Sequence, residues 1–116
     1  MEVFTLNDYQ RAAIATAEYP DRGKNMIYPS LKLNGEAGEI AEKIGKHWRN
    51  EGITDPNKLN AEQKLELVKE MGDVLWYLAA LADELNVDLS YVARKNIEKL
   101  RDRKARGVIK SEGDNR

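Results

Sequence analysis

The sequence predicts an all-α protein, a bundle of four helices, on three observations. Apolar residues recur at helical intervals along four segments, and no strand-like alternation of useful length interrupts them. All three prolines, Pro20, Pro29 and Pro56, fall between the periodic segments rather than inside them. With 116 residues the chain is long enough for one core and too short for two. The expected layout is one domain over residues 1–106 and a flexible polar tail over 107–116.

The first helix is expected over residues 7–18, with Thr5 or Asn7 as its cap, because their side chains can accept hydrogen bonds from the free amides of a first turn. Residues 19–30 contain Pro20, Gly23 and Pro29 and read as a loop. A second helix should start near Leu31 and end before Gly52. Residues 53–60, with their Asp-Pro pair and asparagines, read as a connection. Asn60 is a good cap for a third helix reaching about Leu85. Asp88 or Asn86 can cap a fourth that runs to about Ala105, where Gly107 is placed to terminate it.

Residues 74–82 of the third helix read Val-Leu-Trp-Tyr-Leu-Ala-Ala-Leu-Ala, apolar on every side. Such a helix must be covered all round, and three partner helices struggle to do so. A second copy of the chain is the simplest cover, so a homo-oligomer, dimer or tetramer, is expected.

Composition removes several function classes. The formal net charge of −1 argues against a broad nucleic-acid surface, which would make the domain basic. The absence of cysteine excludes disulfides, zinc–thiolate sites and thiol catalysis. No apolar run follows a basic start, so no signal peptide is expected, and no apolar stretch approaches the roughly 20 residues that span a bilayer. A cytoplasmic protein without membrane partners is the plain expectation.

The chemistry sits in two carboxylate pairs, Glu36 with Glu39 and Glu70 with Asp73, each at i, i+3 within a predicted helix. That spacing projects both side chains of a pair from one helix face. If the two helices face each other, four carboxylates converge, and so much buried negative charge calls for a hard divalent cation, Mg²⁺ or alternatively Mn²⁺. Lys43 shares the stripe of Glu36 and Glu39, and Tyr77 that of Glu70 and Asp73; Lys46 lies one turn beyond Lys43. On the fourth helix Asn96, Lys99 and Arg103 repeat the i, i+3, i+7 spacing. Acids holding a cation and cations neutralising phosphate would make a pocket for a metal-bound polyphosphate. Gly35, Gly38 and Gly72 stand inside helices, where each costs about 1 kcal/mol relative to alanine, so close approach of the two helices, or of a ligand to the backbone, is expected there. His47 is the only histidine and has Ile44 three residues before it, so a di-iron bundle built on Glu-x-x-His pairs is excluded. A non-catalytic helical oligomerisation module is the remaining alternative, though it leaves the matched acidic and basic stripes unexplained.

The strings Leu33-Asn34-Gly35-Glu36-Ala37-Gly38-Glu39-Ile40-Ala41-Glu42-Lys43 and Lys69-Glu70-Met71-Gly72-Asp73-Val74-Leu75-Trp76-Tyr77-Leu78 resemble the all-α nucleoside triphosphate pyrophosphohydrolases, and more closely their MazG-like branch. The E-x-x-E and E-x-x-D motifs fall on Glu36, Glu39, Glu70 and Asp73, and Asn96-x-x-Lys99-x-x-x-Arg103 resembles the branch's phosphate-facing motif. Tyr28-Pro29 also fits the pattern. The resemblance implies a four-helix protomer that assembles into dimers or tetramers. It implies Mg²⁺-dependent cleavage of a nucleoside triphosphate between the α and β phosphates, with the four acids as metal ligands and catalytic groups. Glu36 and Glu39 are equal candidates for general base. Gly35 stands where some relatives carry an additional acid, and Trp48 is a candidate for stacking on a base, although its offset from Glu39 does not clearly match.

Overall fold

The fold is that of a computed structural model, which describes residues 3–107. Among these residues there are four α-helices, one short 3₁₀ turn and no strand: α1 (Leu6–Ile14), α2 (Ile27–Glu51), α3 (Ala61–Glu84) and α4 (Leu89–Ala105), with the 3₁₀ turn over Pro56–Lys58. The all-α reading of the sequence is correct. The expected tail lies outside the described residues from position 108 onward.

Each helix begins where its sequence supplies a cap. Thr5 and Asp8 form a reciprocal capping box on α1, Asn60 and Gln63 do the same on α3, and Asp88 accepts from the Tyr91 amide on α4. The loops end helices by left-handed turns: Gly52 at φ 69° closes α2, and Asn86 at φ 59° follows α3.

Two boundaries differ from expectation. Helix α1 stops at Ile14 instead of Glu18, because Thr16 turns its hydroxyl back onto the Ala13 carbonyl (2.6 Å) while also accepting from the Trp76 indole (3.0 Å). Helix α2 starts at Ile27 and carries Pro29 within its first turn. First-turn amides have no partner inside the helix, so the missing proline N–H costs nothing there. Asn25 does the capping, its Oδ1 accepting from the amides of Ile27 (3.2 Å) and Tyr28 (3.1 Å).

Helices α2 and α3 form a long antiparallel hairpin. The seam of α2 is Pro29, Leu33, Glu36, Ile40, Lys43 and His47, and that of α3 is Gln63, Leu67, Glu70, Val74, Tyr77 and Leu81, all at alternating spacings of three and four. These are the positions that an ordinary hairpin fills with apolar side chains. Here Glu36 and Glu70 interrupt both rows near the middle, flanked by Leu33 and Ile40 on one side and by Leu67 and Val74 on the other.

The core proper lies at the other end of α3, where α1 and the start of α4 close over Ala13, Ala79, Ala82 and Leu89. Gln10, itself buried, ties three elements together. Its amide donates to the carbonyls of Ala79 (3.3 Å) and Val87 (3.2 Å) and accepts from the Leu89 amide (3.0 Å). The apolar run of α3 is thus covered in good part by its own chain, with Ala79 and Ala80 fully buried. Uncovered apolar surface lies on the outer faces of the hairpin, at Ile27, Leu31, Ile44 and Trp48 on α2 and Leu65, Val68 and Met71 on α3, and also along α4, at Tyr91, Val92, Ile97 and Leu100. The Cα radius of gyration is 17.0 Å, against about 13 Å for a compact domain of this length. Among the described residues no helix is long and apolar enough to cross a membrane.

Candidate active site

The two interrupted rows of the hairpin meet. One carboxylate oxygen from each of Glu36, Glu70 and Asp73 lies within 4.8 Å of the others, two helices supplying the three. Oε2 of Glu36 and Oε2 of Glu70 are buried without a hydrogen-bond partner. A buried carboxylate oxygen with nothing to accept from is expensive, and it implies that a group the chain does not supply belongs there.

Glu39, the fourth acid, reaches the same point from the solvent side. Its carboxyl lies in hydrogen-bonding reach of Glu70 and Glu36, and these two contacts, followed by the repulsion of both charges, raise its pKa above the ordinary value. The cluster therefore holds a proton on Glu39 to a higher pH than a free glutamate would.

Of the two nearby lysines, Lys43 approaches the acids themselves. Its ammonium sits 3.1 Å from Glu70 Oε1, a pairing that raises the lysine pKa. Lys46 pairs with Glu42 at 3.4 Å on the exposed face. Glu39, Glu42, Lys43, Lys46 and Glu70 line an open hollow of about 330 Å³.

On the side nearer the core, aromatic rings border the acids. Tyr19 stacks on Tyr28 (centroids 5.1 Å apart, 11° between planes), and Tyr28 packs tilted against Tyr77 at 6.4 Å. Burial raises the Tyr77 pKa first, followed by the charge and hydrogen bond of Tyr28 and then the charges of Glu36 and Asp73.

Glu84 organises this border. Its carboxylate accepts from the Tyr19 hydroxyl (2.5 Å) and from the amides of Gly23 and Asn25 (2.8 Å each), and these three bonds lower its pKa. Sequence reasoning missed Glu84 and Tyr19 and gave Tyr28 little weight. A signal for Glu84 was present. Two acids, Asp83 and Glu84, end α3 with no basic residue in its last turn, the opposite of what the helix dipole favours.

The structure brings together Glu36, Glu39, Glu70, Asp73, Lys43 and Tyr77, with Lys46 at the rim. It does not bring Asn96, Lys99 and Arg103 to them within one chain. Helix α4 packs on α1 and on the end of α3 and does not pack against α2. Asn96 and Lys99 face a different hollow, with Leu85, Val87 and Tyr91, and Arg103 is buried. Trp48 is exposed on the outer face of α2, away from the seam, and His47 pairs with Glu51 at 2.8 Å. The in-helix glycines do not draw α2 and α3 together either. A methyl added at Gly35, Gly38 or Gly72 would meet nothing within 4 Å. Their surfaces are open to whatever approaches from outside the chain.

Comparison with known proteins places these residues in a family. Residues 29–108 match the MazG nucleotide pyrophosphohydrolase domain, a span that holds both acidic pairs, Lys43 and Tyr77. The chain is 45% identical over 114 residues to the Gene 37 protein of Mycobacterium phage L5, covering 93% of this chain and 96% of that one. It is 37% identical over 86 residues to the uncharacterized protein YvdC of Bacillus subtilis, covering 71% of this chain and 81% of that protein. It is 36% identical over 90 residues to human dCTP pyrophosphatase 1, covering 73% of this chain and 50% of the human protein, so it matches about half the length of that relative.

Proposed function

The chain belongs to the MazG nucleotide pyrophosphohydrolase family and is a nucleoside triphosphate pyrophosphohydrolase, and from that premise we propose that it cleaves deoxynucleoside triphosphates between the α and β phosphates, releasing a monophosphate and pyrophosphate with the help of Mg²⁺. The observation that carries this reading is the pair of partnerless buried oxygens, Oε2 of Glu36 and Oε2 of Glu70, on two carboxylates that converge with Asp73 across the hairpin. An all-oxygen, anionic donor set suits a hard cation such as Mg²⁺, with Mn²⁺ as a substitute.

Glu36, Glu70 and Asp73 would hold the ion. A divalent ion there supplies charge neutralisation for the phosphates and activation of a water for in-line attack. Glu39 stands just outside the group of three, and the neighbouring Glu70 and Glu36 raise its pKa. As a carboxylate, Glu39 would accept a proton from the attacking water. The water oxygen forms a bond to the α phosphorus while the bond to the bridging oxygen breaks and pyrophosphate leaves. Lys43 and Lys46, lining the hollow on one side of the acids, meet the departing phosphates. Tyr77 and Tyr28 wall the other side, where the nucleoside would lie.

Asn96, Lys99 and Arg103 enter this scheme only through self-association. The apolar outer faces of α2 and α3 suit a second copy of the chain, whose α4 would bring its basic stripe to the first copy's hollow. Gly35, Gly38 and Gly72, with open space above them, allow that copy or the nucleotide to come close.

Resolving products by ³¹P NMR across a panel of ribo- and deoxynucleoside triphosphates tests the reading. dCTP heads the panel because of the human relative's name. Monophosphate and pyrophosphate should appear only with Mg²⁺ and should vanish in Glu39→Gln. Diphosphate with orthophosphate, or undiminished turnover by the variant, contradicts it.

A further inference from the structure

Lys43 pairs with an acid of the seam itself, and under the proposed function it has a different partner, the substrate's phosphates. Its Nζ lies 3.1 Å from Glu70 Oε1, on a glutamate whose side chain is only 16% exposed. The other oxygen of that carboxylate is one of the two buried without a partner. Lys43 thus neutralises one half of Glu70 and leaves the inner half free. The charges of Glu66 and Glu39 also favour its ammonium form. Lys46 does nothing comparable: it pairs with Glu42 where both side chains are more than half exposed.

Resting on the cation-site reading above, we propose that Lys43 is a built-in counter-cation that divalent-ion binding displaces from Glu70, the released ammonium then turning to the anionic substrate. Glu70 cannot give its full charge to an ion while an ammonium shares it, because two cations on one carboxylate repel each other at short range. A lysine side chain is a long flexible tether, and this one is 39% exposed on the wall of the open hollow. The ammonium can therefore leave Glu70 and remain near the acids without moving the backbone. Loading the ion and preparing the phosphate subsite become one event. The cluster is also protected from collapse by self-repulsion when no ion is present.

The consequence is a pair of opposite effects from one substitution, which a general lesion in the fold would not produce. Calorimetric titration of the full chain with Mn²⁺ alone should show tighter binding for Lys43→Met, by about two- to five-fold, the range of a partly exposed ion pair. Lys43→Arg should bind no more tightly than wild type, since a guanidinium pairs with a carboxylate at least as well. Lys46→Met, the control for loss of a nearby charge, should stay within two-fold. At saturating Mg²⁺ the Lys43→Met protein should require a higher nucleotide concentration, seen as a raised KM. Lys43→Gln serves in the same comparison should the methionine variant fail to fold. Equal Mn²⁺ affinity in wild type and in the neutral Lys43 variants overturns the proposal while leaving the ion site standing, as does equal tightening by Lys46→Met. Absence of Mn²⁺ binding by wild type overturns the site reading itself, and the proposal with it.

Discussion

Glu84 and Gln10 each bridge segments far apart in the sequence. The Glu84 carboxylate accepts from the Tyr19 hydroxyl and from the Gly23 and Asn25 amides, which fixes the loop before α2 and through it the Tyr19–Tyr28 stack. Because these bonds favour the ionised form, the folded pKa lies below the ordinary glutamate value of 4.5. The stabilisation is therefore complete above the unfolded pKa and is lost as pH falls through the folded one. Glu84→Gln should melt below wild type at pH 7, and the gap should close as the pH drops below that ordinary value; a gap that is constant with pH would contradict the clamp. Gln10→Ala removes three hydrogen bonds from the core, and chemical denaturation should show a loss of about 2–3 kcal/mol. Glu39 has the opposite linkage to Glu84. Its raised pKa means that wild type without metal loses stability as pH rises from the ordinary glutamate value through that pKa, so over that window Glu39→Gln should gain stability relative to wild type, and it should lose turnover.

Helices α2 and α3 show how far the sequence could be read and where it fell short. Both acidic pairs were legible because i, i+3 spacing on a helix is local information, and so were the caps at Thr5, Asn60 and Asp88. Which residues of each pair turn inward was not. Glu36 and Glu70 fall in the seam while Glu39 and Asp73 lie on its solvent side, a distinction set by the register of the hairpin. The start of α2 was misplaced because Pro29 was read as a breaker, although proline is tolerated in a first turn. The Glu84 clamp was hidden by distance, since it joins positions 59 to 65 residues apart. The apolar run of α3 was read correctly as needing cover, but α1 and Leu89 supply much of it. The uncovered apolar residues lie on the outside of the hairpin and along α4, interleaved with polar ones, so no single run draws attention.

For the whole molecule, the loose arrangement of four helices and the exposed apolar outer faces suit the self-association proposed above. Wild type should sediment as a dimer or larger assembly under the proposed reading. Replacing both Leu31 and Trp48 by glutamate should give a folded monomer with much reduced turnover, because α4 then no longer reaches another copy's hollow. A monomeric wild type with full activity would contradict that part of the account. Everything else depends on acids crowded into a hairpin seam at a cost in stability that a divalent ion relieves. The most direct check is thermal melting with and without millimolar Mg²⁺ for wild type, Glu36→Gln and Glu70→Gln. The account predicts that Mg²⁺ raises the wild-type midpoint and leaves both variants nearly unmoved; no rise in wild type, or an equal rise in the two variants, would contradict it.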